Sequence, residues 1–292
     1  MDASGPLCLG IDPHPQLLRD WDLPDTPVGL ERFSMTALEA ASAGGVAAVK
    51  PQVALYERHG SAGIVVLERL LRRSRQAGVL TIADAKRGDI GSTMAGYAEA
   101  WLSDRSPLAS DAVTLSPFLG YGSLAPAIEL AEETGRGVFV LALTSNPEGA
   151  SVQHVGGAEA SVARAITEAA AADNARALTS LTPSSTPSST PPSDAARAPF
   201  GPVGLVVGAT VAEQAQVLGI ELGGVRGALL APGFGAQGAS GQGMRSGFAS
   251  AWPAVLATSS RAMLGRGPSV AGLREAIAEA LEDLQASPAG RA

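Results

Sequence analysis

A single (β/α)8 barrel domain spanning residues 1–292 is the fold this sequence predicts, with one low-complexity insertion inside it. Three observations point there. Eight short apolar runs recur along the chain, helix-length segments separate them, and 292 residues is a common length for one barrel. The runs lack inside/outside alternation, as parallel strands buried on both faces require. A doubly wound open sheet is the runner-up architecture.

In chain order the strand-like runs are "LCLGID", "VAAVKP", "VLTIAD", "AVTLSP", "GVFVLALTSN", "GLVVGAT", "GALLAPG" and "AVLATSS". Between the second and third, "GIVVLERLLRRSRQAG" carries Ile64, Leu67, Leu70 and Leu71 at helical spacing and closes on Gly78, a natural helix stop. The segment "GAEASVARAITEAAAADNARA" reads as another helix. After it, residues from about 177 to 199, "ALTSLTPSSTPSSTPPSDAARAP", are too rich in Ser, Thr and Pro to bury a core and read as a disordered insertion. About five strands precede this tract and about three follow it, so neither side closes a barrel alone.

Composition narrows the function. A formal net charge of −7 opposes a general nucleic-acid binder, because a surface that tracks phosphates needs a basic excess. The N-terminus carries Asp2 and lacks a basic leader, and no apolar stretch approaches the ~20 residues of a membrane helix. One cysteine, Cys8, cannot form an internal disulfide, and no Cys/His cluster has zinc-ligand spacing. A cytoplasmic protein with no metal site is expected, with Cys8 as a buried small hydrophobe. His14, His59 and His154 share no common spacing and read as surface or cap residues.

Chemistry in a barrel gathers at the C-terminal ends of its strands. Asp12 closes the first run, Lys50 the second and Asp84 the third, with Lys86 two residues further on. Residues two apart share one side of a strand, and neighbouring strands lie ~4.8 Å apart, so these four charges form a row of alternating sign. Alternation matters because a charge leaving water is tolerated when paired. A solvated ion-pair network on the rim would look similar from sequence. The "RGD" at Arg87 to Asp89 invites an integrin reading that a short, common tripeptide does not support.

A second candidate region lies late in the chain. "LLAPGFGAQGASGQG" follows the seventh run and "ATSSRAMLGRG" the eighth, the two loops with which barrels often bind phosphate. Arg261 would add a bidentate anion contact and Gln237 a hydrogen bond to ligand oxygens. "GFGAQG" also fits G-x-G-x-x-G, yet after Gly238 no acid appears until Glu275, so the ribose-binding carboxylate of a dinucleotide site is missing. In "LALTSNP", Thr144, Ser145 and Asn146 could read a polar ring edge or simply cap a turn.

These residues together resemble the orotidine 5′-monophosphate decarboxylase family, most closely its bacterial type 2 branch. The resemblance rests on "DAKRGDI" as a D-x-K-x-x-D-I signature, with "LGIDP", "AVKPQ", "LTSNP", "APGFGAQG" and "SSRAML" in the expected order, over roughly residues 7 to 265. It implies a (β/α)8 homodimer that converts orotidine 5′-phosphate to UMP and CO2, the last step of de novo UMP synthesis, without metal or organic cofactor. It further implies Lys86 as proton donor, with Lys50 and Asp84 in its charged network. Asp89, Ile90 and Thr93 would enter the neighbouring subunit's site. Asp12 would contact the nucleotide, Ser145 and Gln237 the pyrimidine and phosphate region with Gly238 beside them, and Arg261 the phosphate.

Two rivals remain at this stage. A sugar-phosphate decarboxylase or aldolase on a related barrel shares D-x-K-x-x-D, but its magnesium-dependent members need a further acid near the second strand's end, where this chain has Lys50. A non-catalytic nucleotide-binding regulator would have no need of a lysine held between acids.

Overall fold

The computed structural model describes residues 5–180, 199–236 and 238–286. Eight parallel strands, β1 (Leu7–Ile11), β2 (Ala48–Pro51), β3 (Leu80–Arg87), β4 (Ala112–Leu115), β5 (Gly137–Leu143), β6 (Val203–Val207), β7 (Leu229–Pro232) and β8 (Val255–Ser259), form one closed barrel in chain order. β8 pairs with β1 through Leu7 opposite Ala257 and Leu9 opposite Ser259. The expected (β/α)8 architecture is therefore borne out. Five strands precede residue 181 and three follow residue 198, and only together do they close.

Strand parity divides the apolar residues into two layers. Leu7, Leu9 and Ile11 of β1, Val49 of β2, Ala83 and Ala85 of β3, and Val113 and Leu115 of β4 belong to the large core shared with the helices. The opposite parity gives a second cluster, Cys8, Ala48, Ile82, Ala112, Phe139, Val206, Leu230 and Leu256, with one residue from each strand. These eight fill the barrel's interior, as layered barrel packing requires. Gly204 is part of the fit, since a Cβ there would lie 2.6 Å from the Phe139 ring. Cys8 is fully buried here, and burial pushes its thiol up to about 12, so it serves as a packing residue.

Each strand is followed by a helix that covers it. Local signals set their ends: Thr26 caps the helix Pro27–Ser42 by accepting from Gly29 N–H, and Ser269 caps Val270–Gln285 by accepting from Gly272 N–H at 3.1 Å. The helix Gly60–Gln76 stops where Gly78 turns left-handed at φ +69°. Its buried stripe runs through Val66, Leu67, Leu70 and Leu71, and Ile64 is only partly buried, one position off the expected face.

Two expected boundaries shift. The helix expected across 157–177 is broken at Ser161, with a short turn Gly157–Ala160 before the long helix Val162–Ser180. That helix carries Ala177, Leu178, Thr179 and Ser180, which the low-complexity reading assigned to the insertion. Ala177 and Leu178 are buried, so helical packing outweighs their Ser/Thr-rich surroundings. Residues 181–198 of the expected insertion lie outside the described residues.

Candidate active site

The charged stretch that ends β3 is explained by one carboxylate. Asp84 points inward above the apolar plug and receives four donors. Lys50 Nζ lies 2.6 Å and Gln52 Nε2 3.0 Å from Oδ2, while Lys86 Nζ lies 2.5 Å and Thr114 Oγ1 3.0 Å from Oδ1. The side chains of Lys50 and Asp84 are only 6% and 9% exposed, whereas Lys86 is 46% exposed at the mouth. Burial alone would push the Asp84 carboxyl up, but the ammonium groups of Lys50 and Lys86 outweigh it and hold the carboxyl well below its usual range. For Lys50, burial would pull the amine down, and the charges of Asp84 and then Asp12 more than reverse this. The buried pair is thus fully compensated, with Lys86 as its solvent-facing end.

Lys86 is held in a special backbone conformation. Its φ is +48°, a left-handed value that costs a non-glycine residue about 1–3 kcal/mol and persists only where the surroundings enforce it. The cause is a bulge. Ala83 pairs with Val113 and Arg87 with Leu115, so β3 uses four residues where β4 uses two. Thr114 stands opposite the extra residues, and its Oγ1 accepts from the Lys86 N–H at 2.9 Å. Beyond the bulge, Gly88 passes so close to β4's extension that a Cβ would lie 2.3 Å from the Ser116 carbonyl oxygen.

Arg87 faces away from this row. It pairs with Glu57 and lies over the rings of Tyr97 and Trp101, at 5.7 and 5.9 Å from their centroids. This engaged arginine leaves no free "RGD" tripeptide for recognition.

Of the expected four-charge row, Lys50, Asp84 and Lys86 are joined by ion pairs. Among the described residues no ion pair joins Asp12 to Lys50, and Asp12 acts on it only through the longer-range field. Asp12 Oδ1 is buried with no hydrogen-bond partner, an acceptor left for something outside the fold. Across β1, Ser260 Oγ is likewise buried and unpartnered. Ser260 precedes the short helix Arg261–Leu264, and Arg261 is exposed with no ion pair among the described residues. Facing it, the loop after β7 makes left-handed turns at Gly233, Gly235 and Gly238. Gln237 lies outside the described residues.

Ser145 follows β5 and packs against Gly208, where a Cβ would come within 3.2 Å of the Ser145 Cβ. Thr144 and Asn146 are tied to each other at 2.6 Å, and Thr144 is tied also to Gln153, so those two stabilise the turn itself. Asp89 stays out of the Lys86 network and accepts from the Ile90 N–H at 2.8 Å. Ile90 is 62% exposed and Thr93 is exposed, both directed out of this chain. Phe118 and Leu119, in the loop after β4, are exposed as well.

Thr114 and Gln52 are members of the site that sequence reading did not single out. Both were accessible by parity, since Thr114 lies two residues after the inward Ala112 and Gln52 two after Lys50. His14 and His154 flank short helices as expected. His59 likewise stands at the start of the helix Gly60–Gln76, as expected of a cap position, with its ring 3.5 Å from Asp25 and outside the charged network.

A (β/α)8 barrel with a lysine–aspartate–lysine network across the C-terminal ends of adjacent strands has the organisation of a barrel enzyme. Comparison with known proteins gives the family. Residues 5–276 match the family described as Orotidine 5′-phosphate decarboxylase / HUMPS family, and the chain belongs to it. A relative named orotidine 5′-phosphate decarboxylase from Salinispora tropica is 50% identical over 287 residues, covering 98% of this chain and 94% of the relative. One of the same name from Streptomyces coelicolor is 49% identical over 277 residues, covering 94% and 91%. A crystal structure described as an orotidine 5′-phosphate decarboxylase from Streptomyces avermitilis superposes with TM-score 0.85 at 48% identity, covering 98% of this chain and 92% of that one. The expected family and its carboxy-lyase class are borne out.

Proposed function

We propose that this chain decarboxylates orotidine 5′-phosphate to UMP and CO2, the last step of de novo UMP synthesis, with Lys86 as the proton donor. The family match and the relatives support the reaction. The observation that carries the mechanism is the Lys86 ammonium, 2.5 Å from Asp84 at the mouth of the barrel.

The chemistry asks for such a group. When the bond from C6 to the carboxylate breaks, its electron pair stays on C6 in the plane of the pyrimidine, where no ring carbonyl can accept it by resonance. Stabilisation must come from a fixed positive charge. Lys86 supplies it and then gives one N–H proton to C6, combining preorganised field and general acid in one group, and recovers its proton from solvent. Asp84 anchors Lys86, and Lys50 and Gln52 occupy the far oxygen of Asp84 so that the carboxylate cannot turn away. Asp12 takes the nucleotide with its unpartnered oxygen. Ser145 meets the pyrimidine, and Arg261 holds the phosphate with Gln237 and Gly238. Phosphate binding far from C6 supplies energy that orients the ring.

The working unit is a homodimer in the cytoplasm. Asp89, Ile90 and Thr93 project from one subunit into its neighbour's site, a reading supported by their exposure and by the exposed apolar Phe118 and Leu119 on the adjacent strand end. Among the described residues no helix is long and apolar enough to cross a membrane. The sugar-phosphate rival lacks its required acid, because Lys50 fills that place and is already committed to Asp84.

The test is to mix the protein with orotidine 5′-phosphate in excess EDTA and follow the loss of the substrate's ultraviolet absorbance. Turnover to UMP with release of CO2 supports the reading. Binding without turnover selects the regulator instead.

A further inference from the structure

We propose that Thr114 is a positioning residue that sets both the backbone conformation and the ammonium placement of Lys86. The inference rests on the reading of Lys86 as proton donor. One hydroxyl makes two hydrogen bonds, each aimed at a different part of the same lysine. Its oxygen accepts from the Lys86 N–H at 2.9 Å, and its proton goes to Asp84 Oδ1 at 3.0 Å, the oxygen that also receives Lys86 Nζ. Main chain and side-chain tip of Lys86 are therefore referred to one atom.

That atom sits where the strand pairing fails. Opposite Thr114 the ladder between β3 and β4 is interrupted, so the Lys86 N–H has no partner from regular pairing. The hydroxyl replaces the missing acceptor and holds φ at +48°. Thr114 is buried at 1% exposure, so water does not compete for these bonds. Without the hydroxyl, the Lys86 backbone loses its acceptor and Asp84 loses one of its four donors, leaving Oδ1 freer to rotate. Lys86 Nζ would then move relative to C6. The candidate phosphate loops after β7 and β8 lie across the barrel from β4 and would be unaffected.

Thr114→Val keeps the shape and removes both hydrogen bonds, whereas Thr114→Ser keeps both and removes only the methyl group. In steady-state assays with orotidine 5′-phosphate, kcat of Thr114→Val should fall about 10- to 100-fold, because a misplacement on the order of 1 Å carries a penalty of that size. Its KM should stay within about threefold, since binding common to ground and transition states is retained. Thr114→Ser should recover kcat to within about threefold of wild type. If Thr114→Val does not fold, Thr114→Ala carries the same arm. Lys86→Ala is measured alongside: turnover in that variant defeats the proton-donor reading itself. An inactive Lys86→Ala combined with a fully active Thr114→Val, or with a Thr114→Ser as slow as Thr114→Val, overturns the role of the Thr114 hydroxyl alone.

Discussion

Lys86 Nζ and Asp84 Oδ1 meet at 2.5 Å across a bulge, with the lysine backbone left-handed at φ +48°. A regular strand would bring two such residues to one side without fixing the ammonium. The bulge re-aims the chain end, and Asp84, itself immobilised by Lys50 and Gln52, supplies a fixed point for the charge. In the proposed reaction a preorganised ammonium acts without reorganising at the moment charge develops on C6.

Arg261 should govern capture of the phosphate and not the chemical step. Arg261→Ala is expected to raise KM about 10- to 100-fold, the equivalent of a charged hydrogen bond of about 1.5–3 kcal/mol. Steady-state kinetics with orotidine 5′-phosphate check this. An unchanged KM would remove Arg261 from the phosphate site.

Asp84 should also make stability depend on pH in a defined window. Its folded carboxyl titrates below the unfolded value of 3.8, so it contributes stability at neutral pH that is lost as pH falls below about 4. Asp84→Asn leaves Lys50 buried without its counter-charge and should cost about 3–5 kcal/mol at pH 7. Urea unfolding at a series of pH values should show the gap between wild type and Asp84→Asn narrowing below pH 4. A gap independent of pH would contradict the assigned charge state. Lys50 behaves in the opposite sense: its folded amine titrates above the unfolded 10.5, so its contribution is complete below that value and fades as pH rises past it.

Asp89 should act in the neighbouring site. Lys86→Ala and Asp89→Asn are each expected to be nearly inactive, yet a mixture refolded or exchanged at equal amounts should regain roughly a quarter of wild-type activity, since half the dimers are mixed and one of their two sites is intact. No recovery, with mixed dimers present, would place Asp89 elsewhere.

Most of the fold was legible because strands buried on both faces leave plain apolar runs, and all eight runs became strands. The core of the site was legible because charges at the ends of such runs need an explanation: Lys50, Asp84 and Lys86 do meet. Thr114 was not, since a threonine within a strand looks like any β-branched strand former until its partner's register is known. The bulge carried no glycine or proline at Asp84 to Arg87 to announce it, and nothing in a lysine signals a left-handed backbone. Asp12 acts on Lys50 through its charge, as its place at a strand end suggests, but strand ends alone do not tell which neighbouring charges close to ion-pair distance. The end of the helix at Ser180 was obscured because Thr179 and Ser180 share the composition of the tract that follows.

The most direct measurement compares wild type with Lys86→Ala for turnover of orotidine 5′-phosphate and for UMP affinity. Loss of the ammonium should lower kcat by at least about a thousandfold, combining general-acid and electrostatic contributions, while UMP binding changes by no more than about threefold. A Lys86→Ala protein that turns over within about tenfold of wild type would contradict the assignment of Lys86 as the proton donor.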